Sequence, residues 1–174
     1  MNKLISQTIQ TIDKFTEWSG RSVAWLVLAM VLLICYDVAM RYLLQQGSVA
    51  LQELEWHLFA LIFLLGSAYT LKHDEHVRVD IIYQSHKLSD KHRALINITG
   101  ILLFLMPFCI LILISSWPFV ESAYFYNEGS PDPGGLPYRY LLKASILIAF
   151  SMLILQGLAE LLRNILKLQN TEAN

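Results

Sequence analysis

Four long apolar runs, at residues 22–44, 54–71, 95–120 and 140–162, constrain this chain more than any motif within it. Each approaches or exceeds the roughly 20 residues that a helix needs to cross a hydrocarbon core ~30 Å thick. Lipid offers no hydrogen-bond partners, so segments of this kind must satisfy their backbone groups internally, as helices. The period-two alternation of a barrel strand is missing from all of them. Composition agrees: 55% of the 174 residues are hydrophobic and 16% charged, with a mean hydropathy of +0.47. A soluble domain carries about a quarter charged residues. The expected fold is an all-α polytopic membrane protein, one membrane domain of four transmembrane helices over residues 1–174.

The cations set an orientation. All but three of the 13 lysines and arginines fall in the N-terminal segment, the loop at residues 72–94 or the C-terminus; Arg41, Arg139 and Lys143 lie on the other side. By the positive-inside rule both termini and loop 72–94 are cytoplasmic, and loop 121–139 is periplasmic. The aromatic residues fit: Trp56, Trp117, Tyr42, Tyr124, Tyr138 and Tyr140 gather at the outer ends of spans, and Trp18, Trp25 and Tyr69 near the inner ends. The N-terminus carries mixed charge, its apolar run is too long, and no small-residue cleavage site follows, so it reads as a retained first span rather than a cleaved signal. Cys35 and Cys109 each sit inside an apolar run, where thiols act as small hydrophobes. A net charge of −1 gives no reason to expect nucleic acid.

Outside the spans, Leu4, Ile5, Ile9, Ile12, Phe15 and Thr16 recur at helical spacing between polar residues, which predicts an amphipathic helix over residues 1–20 in the cytoplasmic interface. Ser89 is placed to N-cap the third span. Loop 121–139, ESAYFYNEGSPDPGGLPYR, holds three of the five prolines and three of the eight glycines, including Gly134, Gly135 and Pro137; it predicts a stiff series of turns.

Polar residues inside the spans are few. Asp37 and Arg41 are four apart and can pair, and Glu53, Glu55 and His57 enter the same outer layer across a short turn. The expectation is an Arg41–Glu network packing the first helix on the second. The alternative is an ion path through Asp37 and these glutamates, as in a self-sufficient small transporter. Glu160 and Arg163 form a boundary pair; Asn97 and Gln156 are candidate interhelical hydrogen-bonders; Gly66-Ser67-Ala68, Gly100 and Gly157 offer small surfaces for close helix approach. The stretch KHDEHVRVD, residues 72–80, invites a metal reading through His73 and His76. Even with His86 and His92 no zinc spacing appears. A haem or quinone anchor of a redox enzyme is a further alternative, although only His57 lies within a span. No nucleophile elbow, phosphate loop or HExxH signature is present, so no catalytic residue, cofactor or metal is expected.

Taken together, ELEWH entering the second span, FLLGSAYTLK leaving it, HVRVD directly after, and GSPDPGGLPYRYLLK before the fourth resemble the DctQ-type small membrane subunit of tripartite ATP-independent periplasmic (TRAP) transporters. The resemblance runs from about Arg21 to Arg163, and the GGLP loop is similar to a branch associated with mannitol, chloroaromatic or 2-oxo acid transport. Leu61 stands where many members carry tryptophan. The resemblance implies a cell inner membrane protein that scaffolds a large elevator-type permease subunit in sodium-coupled organic acid uptake, with a periplasmic binding protein delivering the substrate. Within that frame Lys72 and Arg78 can hold the anionic membrane surface, and His76, Arg78 and Asp80 can tie the loop back onto helix ends.

Overall fold

The computed structural model describes residues 2–74 and 89–172. These residues form helices α1 (Asn2–Leu43), α2 (Val49–Lys72), α3 (Asp90–Gly100), a π-helical turn (Ile101–Leu105), α4 (Met106–Phe125) and α5 (Tyr140–Glu172). The stretch from Lys91 to Phe125 acts as one span, so four helices are long and apolar enough to cross a membrane. The α1–α2 and α4–α5 connections lie at one end of the bundle, called here the hairpin end. The start of α1 and the end of α5 lie at the other, called here the termini end.

Helix boundaries follow local chemistry more closely than they follow the apolar runs. Ser48 adopts an extended backbone and its hydroxyl accepts from the Leu51 N–H at 3.4 Å, so α2 starts at Val49, five residues before the apolar run. Lys72 ends it: His73 and the left-handed Asp74 (φ 60°) turn the chain, with Asp74 N–H donating to Leu71 O. At the far end of α4 the helix overruns the predicted span and stops where Asn127 goes left-handed (φ 46°). There Glu128 N–H donates to Ala123 O and Asn127 N–H to Tyr124 O, the pair of bonds that closes a Schellman motif. Ser89 does occupy the N-cap position of α3, but its hydroxyl bonds His92 Nδ1 at 2.7 Å instead of a backbone amide. The π turn has its own cause. Pro107 lacks an N–H and its ring crowds the carbonyl four residues back, so the ladder widens and Met106 N–H reaches Ile101 O.

The N-terminal segment is helical, and it continues into the first span without a break. At 1.5 Å per residue the 42 residues of α1 reach about 63 Å, twice the hydrocarbon thickness. Ile9 and Thr16 on this extension are buried, and α1 packs against α5, so part of its inward stripe is covered by protein.

Helix α5 is the hub, touching every other helix. It buries 33% of its most apolar stretch, against 11% in each of the other three spans. The core joins Ala68 of α2, Cys109 of α4 and Met152 and Leu153 of α5, with Leu65, Leu105 and Phe150 packed around it. Cys109 is fully enclosed there and Cys35 is exposed. Close approach rests on two glycines. A Cβ on Gly20 would lie 2.1 Å from Tyr69 Cδ2, and one on Gly157 would lie 2.7 Å from Leu105 Cδ2. Gly66 and Gly100, also expected to serve this purpose, face open space. The outward faces are apolar, with Phe63, Phe104 and Ile114 well exposed, as lipid or a membrane partner requires.

Candidate functional site

Two polar clusters hold the bundle, one at each end. At the hairpin end the centre is Glu53, only 5% exposed. The early start of α2 places it under the α4–α5 loop. One carboxylate oxygen accepts from the Ser130 hydroxyl, and the other from Leu136 N–H at 2.6 Å. The loop is shaped to deliver both donors. Ser130 N–H donates to Leu136 O at 3.0 Å, Gly135 N–H to Asp132 O at 3.0 Å, and Asp132 N–H to Ser130 Oγ at 3.1 Å. Gly134 takes φ 80°, a conformation that strains other residues. A Cβ on Gly135 would stand 2.8 Å from Glu53 Oε2 and 2.3 Å from Ser130 Oγ, so the second glycine is needed for space. Pro137 then leads into the left-handed Tyr138 (φ 60°). The base of the loop closes through Arg139 N–H to Glu128 O at 2.9 Å and through the Lys143–Glu128 ion pair.

The other expected residues of this layer divide. Asp37, 2% exposed, pairs with Arg41 one turn on, as their spacing predicts. The Arg41–Glu53 link is not formed, because Glu53 finds its donors in the loop 77 and 83 positions later. Glu55 has one buried oxygen without a partner, as has Asp37. His57 is held to its own helix: Nδ1 lies 2.5 Å from Glu53 O, and since a carbonyl only accepts, that nitrogen carries the proton. Its ring packs on Trp56 at 4.1 Å.

At the termini end, Glu17 of α1 gathers Lys72 (2.5 Å) and His73 (3.1 Å) from the end of α2, together with Arg21 (3.0 Å) of its own helix. Next to it the fully buried Gln156 accepts from Thr16 Oγ1 at 2.8 Å and donates to Asp13 Oδ1 at 3.2 Å. Arg163 bonds Asp13 at 2.7 Å and also Glu160. Asn97 donates to Asn164 Oδ1 at 3.4 Å, and Asn164 donates to Glu160 O at 2.8 Å. Asn97, Gln156 and the Glu160–Arg163 pair are thus placed as the sequence predicts. Asp13, Thr16 and Glu17 were not read as contacts. Their signal was positional: with Gly20 they fall at i, i+3, i+4 and i+7 on one helix face. His76, Arg78 and Asp80, and His86 with them, lie outside the described residues.

Chemically these clusters tie helices together. Glu53, Glu17 and Asp13 take donors from other elements, which fixes helix positions and the loop, whereas buried Asp37 is paired within its own helix. The comparisons place this architecture. No curated protein matches the chain. The family described as "Tripartite ATP-independent periplasmic transporters, DctQ component" matches residues 30–167, which takes in all of α2 to α4, most of α5 and the last third of α1. Four membrane-spanning helices joined by polar locks, and a family match over most of its length, establish this chain as a multi-pass inner membrane transporter component, a member of the DctQ family of TRAP small permease subunits and not an enzyme.

Proposed function

We propose that this subunit is the scaffold of a sodium-coupled TRAP transporter, clamping a large elevator-type subunit while that subunit moves an organic acid, of carboxylate or 2-oxo acid type, delivered by a periplasmic binding protein. The observation that carries the reading is the placement of polar interactions. Among the described residues the polar interactions between elements gather toward the two ends of the bundle: Glu53 ties α2 to the α4–α5 loop at one, and Glu17, Asp13 and Gln156 tie α1, α2 and α5 together at the other. A transporter core places convergent polar groups and interrupted helices near the bilayer midplane; a scaffold needs helices fixed relative to one another. Locking both ends supports the second role, because a sliding partner works only against a frame that does not move with it.

In this reading the loop held by Glu53 faces the binding protein, and the exposed apolar helix faces meet lipid and the large subunit. Reconstitution tests it. The chain is expected to co-purify with its large subunit, and uptake into proteoliposomes is expected only with both subunits, the binding protein and an inward sodium gradient. Solute flux through the chain reconstituted alone would overturn the scaffold role.

A further inference from the structure

At the hairpin end a cavity of about 460 Å³ opens between α2, α4 and α5, and its mouth and its depth differ in chemistry. Trp56, Ala60 and Leu64 follow one another at i, i+4 and i+8 on α2, facing Arg139, Lys143 and Ile146 at i, i+4 and i+7 across it. The mouth is cationic. Lys143 pairs with Glu128 and lies 3.8 Å from the centre of the Phe119 ring. The Arg139 guanidinium sits 5.3 Å over Trp56 and makes no ion pair with any described residue. Two cations and one carboxylate line the mouth, and Arg139, though it acts electrostatically on the buried Glu53, makes no side-chain hydrogen bond to a described residue, so its donors face the mouth unpaired. Deeper in, Ala60, Leu64 and Ile146 offer only apolar surface. From Trp56 to Leu64 the slot runs about 12 Å along α2, close to the thickness of one leaflet's hydrocarbon.

We infer that this cavity binds one anionic phospholipid of the leaflet on the hairpin side, its phosphate on Arg139 and one acyl chain between the α2 and α5 stripes. A small soluble anion uses the mouth and leaves the slot empty. A zwitterionic lipid brings its own cation to the mouth and loses the advantage of the unpaired guanidinium. An arginine is suited to the task, because its planar fork matches phosphate oxygens and stacks on an aromatic face at once. The inference rests on the chain spanning a membrane and is independent of its role in transport.

Native mass spectrometry of the delipidated full chain tests this directly, by titration with phosphatidylglycerol, phosphatidylcholine or glycerol phosphate, followed by the same titration on the complex with the large subunit. Phosphatidylglycerol is expected to bind about fivefold or more tightly than phosphatidylcholine, the preference that one basic side chain provides at a membrane surface. Arg139→Gln should abolish that preference and Arg139→Lys should retain most of it. Ala60→Phe, which fills the slot, should weaken both lipids and leave glycerol phosphate binding unchanged. Equal affinity for the two lipids would overturn the inference, as would glycerol phosphate matching phosphatidylglycerol, which would make the mouth a soluble-anion site. Loss of the bound lipid on assembly with the large subunit would overturn it too, by making the cavity part of a protein interface.

Discussion

Glu53 shows how one side chain can organise a segment far from it in sequence. A carboxylate this buried needs donors, and it takes them from Ser130 and Leu136. Glu53→Ala should therefore free the loop while leaving the helices in place: in hydrogen-exchange mass spectrometry the Leu136 amide is expected to exchange about tenfold faster or more, with α2 and α5 protected as before. Glu53→Gln should fall between, because the amide keeps one acceptor and turns a donor toward the other partner. Gly20 makes the opposite kind of demand, for absence of a side chain. Gly20→Leu should destabilise the protein by about 1–3 kcal/mol through overpacking on Tyr69. Adding Tyr69→Ala should recover much of the loss, and thermal unfolding of the two single variants and the double variant closes that cycle. Unchanged stability in Gly20→Leu would mean that α1 and α2 do not meet there.

At the scale of the element, the spans were legible because lipid makes their composition obligatory. Their ends were not, because caps decide them: Ser48 pulled α2 five residues upstream, and Asn127 let α4 run on to Phe125. Pairing between helices was legible only in part. Residues four apart on one helix announce each other, as Asp37 and Arg41 do. Glu53 and Ser130 do not, because only the fold brings positions 77 apart together. The N-terminal part of α1 is helical, as its spacing predicts, but what covers its apolar face was not legible, for the same reason. Its alternation of apolar and polar residues identifies a helix with two faces, and membrane headgroups and a neighbouring helix can both cover such a face. What favours the helix is Gln156, buried in α5, which needs partners and finds Thr16 and Asp13. Thr16→Val and Gln156→Leu, separately and together, should show a coupling of about 0.6 kcal/mol and at most about 1.7, the range for interhelical hydrogen bonds in membrane proteins. A coupling of zero, measured by unfolding in mixed micelles, would mean that Gln156 does not hold the N-terminal part of α1.

For the whole molecule, rigidity at the termini end and at the hairpin end serves different purposes. The termini end ties α1, α2 and α5 to one another, and assembly with a partner in the membrane depends on that frame. The hairpin end ties a loop, and its contacts converge on one buried carboxylate and on the Glu128–Lys143 pair. The two ends should therefore separate under mutation. Residues 129–137 can be removed without stretching the chain, because Glu128 and Arg139 are already hydrogen-bonded to each other at 2.9 Å and two glycines suffice to join them. Removal alone would leave Glu53 buried without donors, so Glu53→Ala must accompany it to keep the shortened protein from carrying an unpaired charge. The shortened chain is expected to co-purify with the large subunit as well as the intact one does, and to support uptake at a markedly lower rate, with the deficit growing as the concentration of binding protein is lowered. Failure to assemble would show that the loop belongs to the frame. Full uptake would show that it does not meet the binding protein, leaving the Gly-Pro turns as a lid over α2 and nothing more.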